Sequence, residues 1–389
     1  MNNHTLALTD MEVLTAAQTT LEKHLRLSAD GYDCKTDDLY KVLLGAAVQQ
    51  STIETVCAEM VGTPVGNTIR GYLKEQLCVE DLPQLEDRLN QALVANLPKR
   101  VGRKPCVLAM DLHDRPYYGK TSQEDGLWVR GRAKDGTTRF YRIATAYVII
   151  KGLRFTLAIR FVLPEDKPAT VIQQLWARMA ALAIPVKYLL LDRGFAGIDV
   201  QDYLDQQGIP AIIACPIRGK QGGTRALCHG RQSYRTQHTF SSNGERKQRT
   251  AELVVCRTFT TAKRTKRLKR RAMWHVFILI HLEMTPRQVR RCYRRRFGIE
   301  TNYRCASKVR GWTTSPNPAL RFVLMALAVY LVNVWVWLRW LFTQIPQRGQ
   351  RSLDQTAFQL TRFARFIVHG LEEHYGVVRQ ITAVAAPLL

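Results

Sequence analysis

The chain has 389 residues, with 57 Lys and Arg against 32 Asp and Glu and a formal net charge of +25. Hydrophobic residues make up 46% and charged residues 23%, which fits a globular protein of about two or three domains and excludes a disordered one. So large a cationic excess calls for a polyanionic partner, either nucleic acid or an anionic membrane surface.

The opening stretch MNNHTLALTDMEVL has no basic region followed by an apolar core, so no secretory signal is expected. The nine cysteines are scattered and no CxxC pair occurs, which suits a reducing compartment with free thiols. The positions of Cys215, Cys228, His229, His238 and Cys256 match no zinc spacing.

Residues 1–100 form an expected N-terminal helical domain. Apolar positions recur at three-and-four spacing in LYKVLLGAAVQQ and in LPQLEDRLNQALVANL. Between them, Ser51 could cap one helix, VGTP could turn the chain, and Asn67–Leu77 could form a second helix. That order resembles a helix-turn-helix with a possible role in reading DNA ends, or a plain helical bundle.

Residues 101–310 change texture. CVLAMD is a short apolar run ending in an acid, and YRIATAYVII and LRFTLAIRFVL are β-rich runs joined by a Lys151–Gly152 turn. ATVIQQLWARMAALAI has helical periodicity, KYLLLD reads as a buried strand, IDVQDYLDQQG as a short helix closed by Gly208, and IPAIIAC as another buried strand. Three strands, then helix, strand, helix and strand predict an α/β fold with a mixed sheet of the ribonuclease-H-like kind. Residues of about 215–283 read as a β-rich insertion, with strands SYRTQHTF, AELVVCRTFT and AMWHVFILI and the basic loop AKRTKRLKRR at its tip. The charge is concentrated nearby. Residues 246–310 hold 20 Lys and Arg against three Glu, whereas residues 1–100 hold 9 Lys and Arg against 14 Asp and Glu. Such a local excess is the footprint expected of a nucleic-acid interface.

Three acids carry the candidate chemistry. Asp111 and Asp192 each end an apolar strand run, the place where an α/β sheet opens to ligand. The third lies on a basic helix opening at Thr285-Pro286. At roughly 100° per residue, Tyr293, Arg296, Glu300 and Arg304 fall within an arc of roughly 80°. Neighbouring cations favour the ionised form of Glu300, and convergent carboxylates either share a proton or take up a hard cation such as Mg²⁺. Considered singly, each Asp could equally be a strand-end turn or helix cap, and Glu300 could pair within an exposed basic helix.

Residues 311–389 form the C-terminal helical region. The tract 319–342 is strongly apolar, but only 17 residues, including Asn333, separate Arg321 from Arg339. A membrane span needs roughly 20, so a buried core helix packing under the basic helix is the expectation. The amphipathic segment DQTAFQLTRFARFIVHGL could serve dimerisation.

The pattern Tyr293-x2-Arg296-x3-Glu300-x3-Arg304, with LLLDRGF around Asp192 and DLHDRPYYG from Asp111, resembles the DDE transposases. Within them it is similar to the insertion-sequence-4 type, in the branch first described from halobacterial elements, which carries a Tyr-Arg-Glu signature. That resemblance implies a cut-and-paste transposase with Asp111, Asp192 and Glu300 as catalytic and metal-binding triad, holding two Mg²⁺ ions with Mn²⁺ as a substitute. It implies that Tyr293, Arg296 and Arg304 hold phosphates. Relatives often carry a Lys seven residues after the Glu; here Ser307 stands there and Lys308 follows. Lys263, Arg264, Lys266 and Arg267 would track phosphates, and Trp274 could stack on a base or lie in the sheet core. The implied partners are double-stranded DNA, as terminal inverted repeats and target, and a second copy in a homodimeric synaptic complex; the implied location is cytoplasmic and nucleoid-associated. A domesticated DNA-binding protein and a structure-specific nuclease on the same core are the alternatives.

Overall fold

The computed structural model describes residues 7–98, 101–119, 126–150, 153–219, 222–242, 247–264, 267–345, 352–354 and 356–380. Five helices come first: α1 (Asp10–Leu25), α2 (Thr36–Val48), α3 (Ile53–Glu59), α4 (Gly66–Gln76) and α5 (Leu82–Val94). Strands β1 (Cys106–Pro116), β2 (Val129–Lys134), β3 (Thr137–Ile150) and β4 (Leu153–Val162) follow. Next come α6 (Pro168–Ala181), β5 (Val186–Leu191), α7 (Ile198–Gln206), β6 (Ala211–Cys215), β7 (Tyr234–Ser241), β8 (Gln248–Arg264) and β9 (Arg267–Ile280). The chain closes with α8 (Pro286–Tyr293), α9 (Phe297–Ala306), α10 (Pro318–Phe342) and α11 (Leu360–Tyr375). It divides into two compact units: residues 1–97, 119–126 and 302–389, and residues 98–118 and 127–301.

The first unit is helical. Thr9 and Glu12 form a capping box at the start of α1. Thr52, rather than Ser51, caps α3 by accepting a hydrogen bond from Thr55 N, and α3 and α4 pack together across the Val61–Val65 turn. Arg70 on α4 is drawn to Glu54 on α3 at 2.6 Å. Helix α10 is 25 residues long, enough to cross a membrane, but 89% of its apolar window is buried in the protein. Its neighbours within this unit are α1, α2, α5 and α11, so it is the core of this unit. Its polar atoms are met from within: Tyr330 donates to Ala17 O at 2.6 Å and Asn333 to Leu93 O at 3.0 Å.

The second unit is a ribonuclease-H-like mixed sheet of nine strands, ordered β2-β3-β1-β5-β6-β9-β8-β7 with β4 on β3. β6 and residues Tyr188–Leu191 of β5 are buried apolar runs, as parallel strands covered on both faces require. β1 pairs in parallel with β5 and antiparallel with β3. The segment read as an insertion continues this same sheet, because β9 pairs with β6 along Ala211–Cys215. The stretch read as a basic loop is ribbon instead: β8 and β9 stay paired out to Arg264 and Arg267, because the backbone ladder of the two strands is indifferent to the charge of their side chains. Lys263, Arg264 and Arg267 lie on that paired backbone; Lys266 and the Lys151–Gly152 turn lie outside the described residues. Helix α7 clamps this extension through ion pairs Asp199–Lys247 at 3.1 Å, Asp202–Arg249 at 2.5 Å and Asp205–Arg249 at 3.1 Å.

Candidate active site

The ladder between β1 and β5 places two of the three acids side by side. Met110 pairs with Leu191, so Asp111 and Asp192 follow as the next residues of adjacent parallel strands. Asp111 does not end its strand, as the apolar run suggested. β1 continues to Pro116 against β3, with Asp111 opposite Thr145. Asp192 directly follows the last residue of β5, and its Oδ1 accepts the Gly194 amide at 2.8 Å, capping a short 3₁₀ turn Arg193–Phe195. Gly194 is close enough that a Cβ there would come within 3.1 Å of Asp192 Oδ1.

The third acid arrives on the basic helix, which is not continuous. Thr285 and Gln288 form a capping box, Pro286 opens α8, and a 3₁₀ turn over Arg294–Arg296 separates α8 from α9. Despite that break, Arg296 and Glu300 remain neighbours, with 3.5 Å between Nη1 and Oε1.

Arg296 is the centre of the site. Its Nη2 donates to Asp111 Oδ1 at 2.8 Å and lies 3.8 Å from Asp192 Oδ2. All three carboxylates therefore stand within 4 Å of one buried guanidinium, whose Nε has no hydrogen-bond partner. Asp111 is 6% exposed. Burial raises its pKa to about 6, Arg296 opposes that shift, and Asp192 adds to it. Three carboxylates against one guanidinium carry a formal charge of −2 when ionised, and their oxygens are the hard donors that Mg²⁺ takes. Among the described residues, no group of three or more His, Cys, Asp or Glu is itself gathered as a ready metal cage; the guanidinium lies between the acids.

Tyr293 packs on Phe277, ring centroids 4.8 Å apart, and its hydroxyl donates to Leu191 O at 3.2 Å. Burial pushes that hydroxyl up to about 12. In this conformation it engages the end of β5, where the resemblance had put a phosphate. Trp274 on β9 is half-buried with the Arg257 guanidinium 5.7 Å over its ring. Arg304 is exposed in the last turn of α9 and belongs to the helical unit. α9 ends at Ala306 and the Lys308 amide turns onto Cys305 O, so Lys308 lies past the end of the helix that carries Glu300. Sequence reasoning passed over Arg142, which grips Asp114 through two bonds of 2.6 and 2.9 Å. Only the cross-strand register Asp114↔Arg142 reveals that pair.

A family model for the transposase DDE domain matches residues 102–332. Among solved structures the chain is similar to the piggyBac transposase in its synaptic complex with hairpin DNA, determined by cryo-EM. That match has a TM-score of 0.54 and 11% identity, and covers 95% of this chain and 78% of the other; at that identity the likeness is one of fold. No curated protein matches the chain.

Proposed function

Since the chain belongs to the transposase DDE-domain family, we propose that it moves a DNA element by cut-and-paste transposition, with Asp111, Asp192 and Glu300 as its catalytic acids. The observation that carries this reading is their convergence, from three distant parts of the chain, on the Arg296 guanidinium. The uncompensated charge of the site and its all-oxygen donor set suit one or two divalent cations, Mg²⁺ or Mn²⁺, held by the same three carboxylates. When bound, such ions stabilise the attacking and leaving oxygens of an in-line displacement at phosphorus.

The chain's own residues do the rest. Arg296 keeps Asp111 and Asp192 together as anions and offers a positive charge to a scissile phosphate. Tyr293 pins α8 to the end of β5, which fixes Arg296 relative to Asp192. Asp192 is steadied by the Gly194 amide. Arg304, Lys308, Lys263, Arg264, Lys266 and Arg267 are assigned to phosphates of the element ends and the target in a synaptic homodimer, as in the insertion-sequence-4-like branch to which the Tyr-Arg-Glu signature points.

Substituting Asp192→Asn or Glu300→Gln is expected to abolish strand cleavage of a DNA substrate in Mg²⁺ while duplex binding, read by gel shift, persists. Cleavage retained by either variant removes that residue from the mechanism. Product analysis separates the readings, since only a transposase joins a 3′-hydroxyl to new DNA.

A further inference from the structure

Helix α8 has a second cationic face. At roughly 100° per residue, Arg287, Arg290 and Arg291 fall within an arc of roughly 100°; they and Arg294, which opens the 3₁₀ turn, are exposed, whereas Arg296 is buried. The two faces therefore do different things: Arg296 turns in to the carboxylates, and the other four turn out.

These four arginines line an open groove of about 860 Å³, with Arg257 and Ser233 on the facing wall. In all, six arginines and no acidic residue line it. Like charges three and four residues apart oppose one another on a helix, so this face costs α8 stability until an anion arrives. Arg257 is prearranged for such an anion. Its guanidinium lies 5.0 Å over the Phe259 ring and 5.7 Å over the Trp274 ring, and its Nη1 donates to Arg231 O at 3.0 Å. Its Nε is buried with no hydrogen-bond partner.

The length of the face selects the ligand. From Arg287 to Arg294 the helix rises about 10 Å, close to the axial advance of three phosphates along one strand of a duplex.

We propose that the groove between α8 and β8 seats the phosphate backbone of duplex DNA without reading its bases. This rests on the DNA-acting role given above and adds a site separate from the carboxylate pocket. The test uses the full chain with Arg287, Arg290, Arg291 and Arg294 all changed to Gln, and a second variant with all four changed to Lys. Binding of a labelled duplex of arbitrary sequence is followed by fluorescence anisotropy across a salt series. The Gln variant is expected to flatten the slope of log affinity against log salt by roughly 3 to 4, at about 0.9 for each phosphate no longer neutralised, and the Lys variant to keep it. An oligothymidylate single strand is expected to compete more weakly than duplex. If the wild type binds duplex with a steep salt dependence and the Gln variant keeps that slope, the groove is not the site, and the transposase reading stands. A Lys variant as flat as the Gln variant, or a single strand that outcompetes duplex, likewise overturns the proposal. A wild type that binds no duplex at any salt removes the transposase reading and the groove together.

Discussion

Replacing Arg296 by Met removes the guanidinium that stands within 4 Å of all three carboxylates while keeping an apolar stem in the buried position. Breaking a buried ion pair by deleting one partner costs about 3–5 kcal/mol. Most of that falls on Asp111, because the side chains of Asp192 and Glu300 are 34% and 44% exposed and pairs of that kind contribute about 0–1 kcal/mol each. For a unit of this size the loss corresponds to a fall in Tm of about 6–20 °C. The pH dependence has a definite sign. Burial holds the Asp111 carboxyl at about 6 in the fold, above its unfolded value of about 3.9. Its contribution to stability is therefore fully present below the unfolded value and is lost as pH rises through 6. Removing Arg296 takes away a charge that lowers this pKa, so the variant goes on losing stability above pH 6, where the wild type has finished. The gap between the two is expected to be larger at pH 8 than at pH 5. Mg²⁺ is expected to recover more stability in the variant than in the wild type, because the carboxylates have lost the guanidinium they share. Thermal denaturation at the two pH values, with and without Mg²⁺, measures all of this. A loss below about 1 kcal/mol at pH 8, or an equal loss at both pH values, would refute the account of Arg296 as the electrostatic centre.

Two further substitutions probe the supports of the site. Gly194→Ala brings a Cβ to 3.1 Å from Asp192 Oδ1, so the carboxylate must shift by a few tenths of an ångström; a fall of about tenfold in cleavage rate with little change in Tm is expected, given that about 1 Å of misplacement can cost a hundredfold. A rate equal to wild type in single-turnover cleavage would show that Asp192 need not be held there. Tyr293→Phe deletes the bond to Leu191 O and is expected to cost about 1 kcal/mol in chemical denaturation; no loss would mean that the hydroxyl does not anchor α8.

Much of the sheet was legible because β5 and β6 are apolar on both faces, a pattern that needs no partner to be recognised. The start of α8 was equally plain, since Thr285, Pro286 and Gln288 cap it locally. What escaped depends on partners distant in the chain. β2 carries Arg130, Arg132 and Lys134 on a mostly exposed strand, so only its ladder with β3 makes it a strand. Asp111 sits within β1 because β3 extends the pairing past the end of β5. The spacing of Tyr293, Arg296 and Glu300 marked the carboxylate face of the basic helix, but a single period drawn through the segment could not foresee the 3₁₀ turn or the end of α9 at Ala306. The role of α10 depended on which helices cover it, and an apolar run carries no record of its neighbours.

Strand β9 has a mechanical consequence. Its inner end is bonded to β6 and its outer end to the tip of β8, and its 14 residues reach about 45 Å at 3.2–3.4 Å each. A DNA duplex advances by nearly the same increment per base pair. The beam is thus longer than one turn of the double helix, and whatever its far end grips is kept at a set span from the sheet unless rungs of the ladder break.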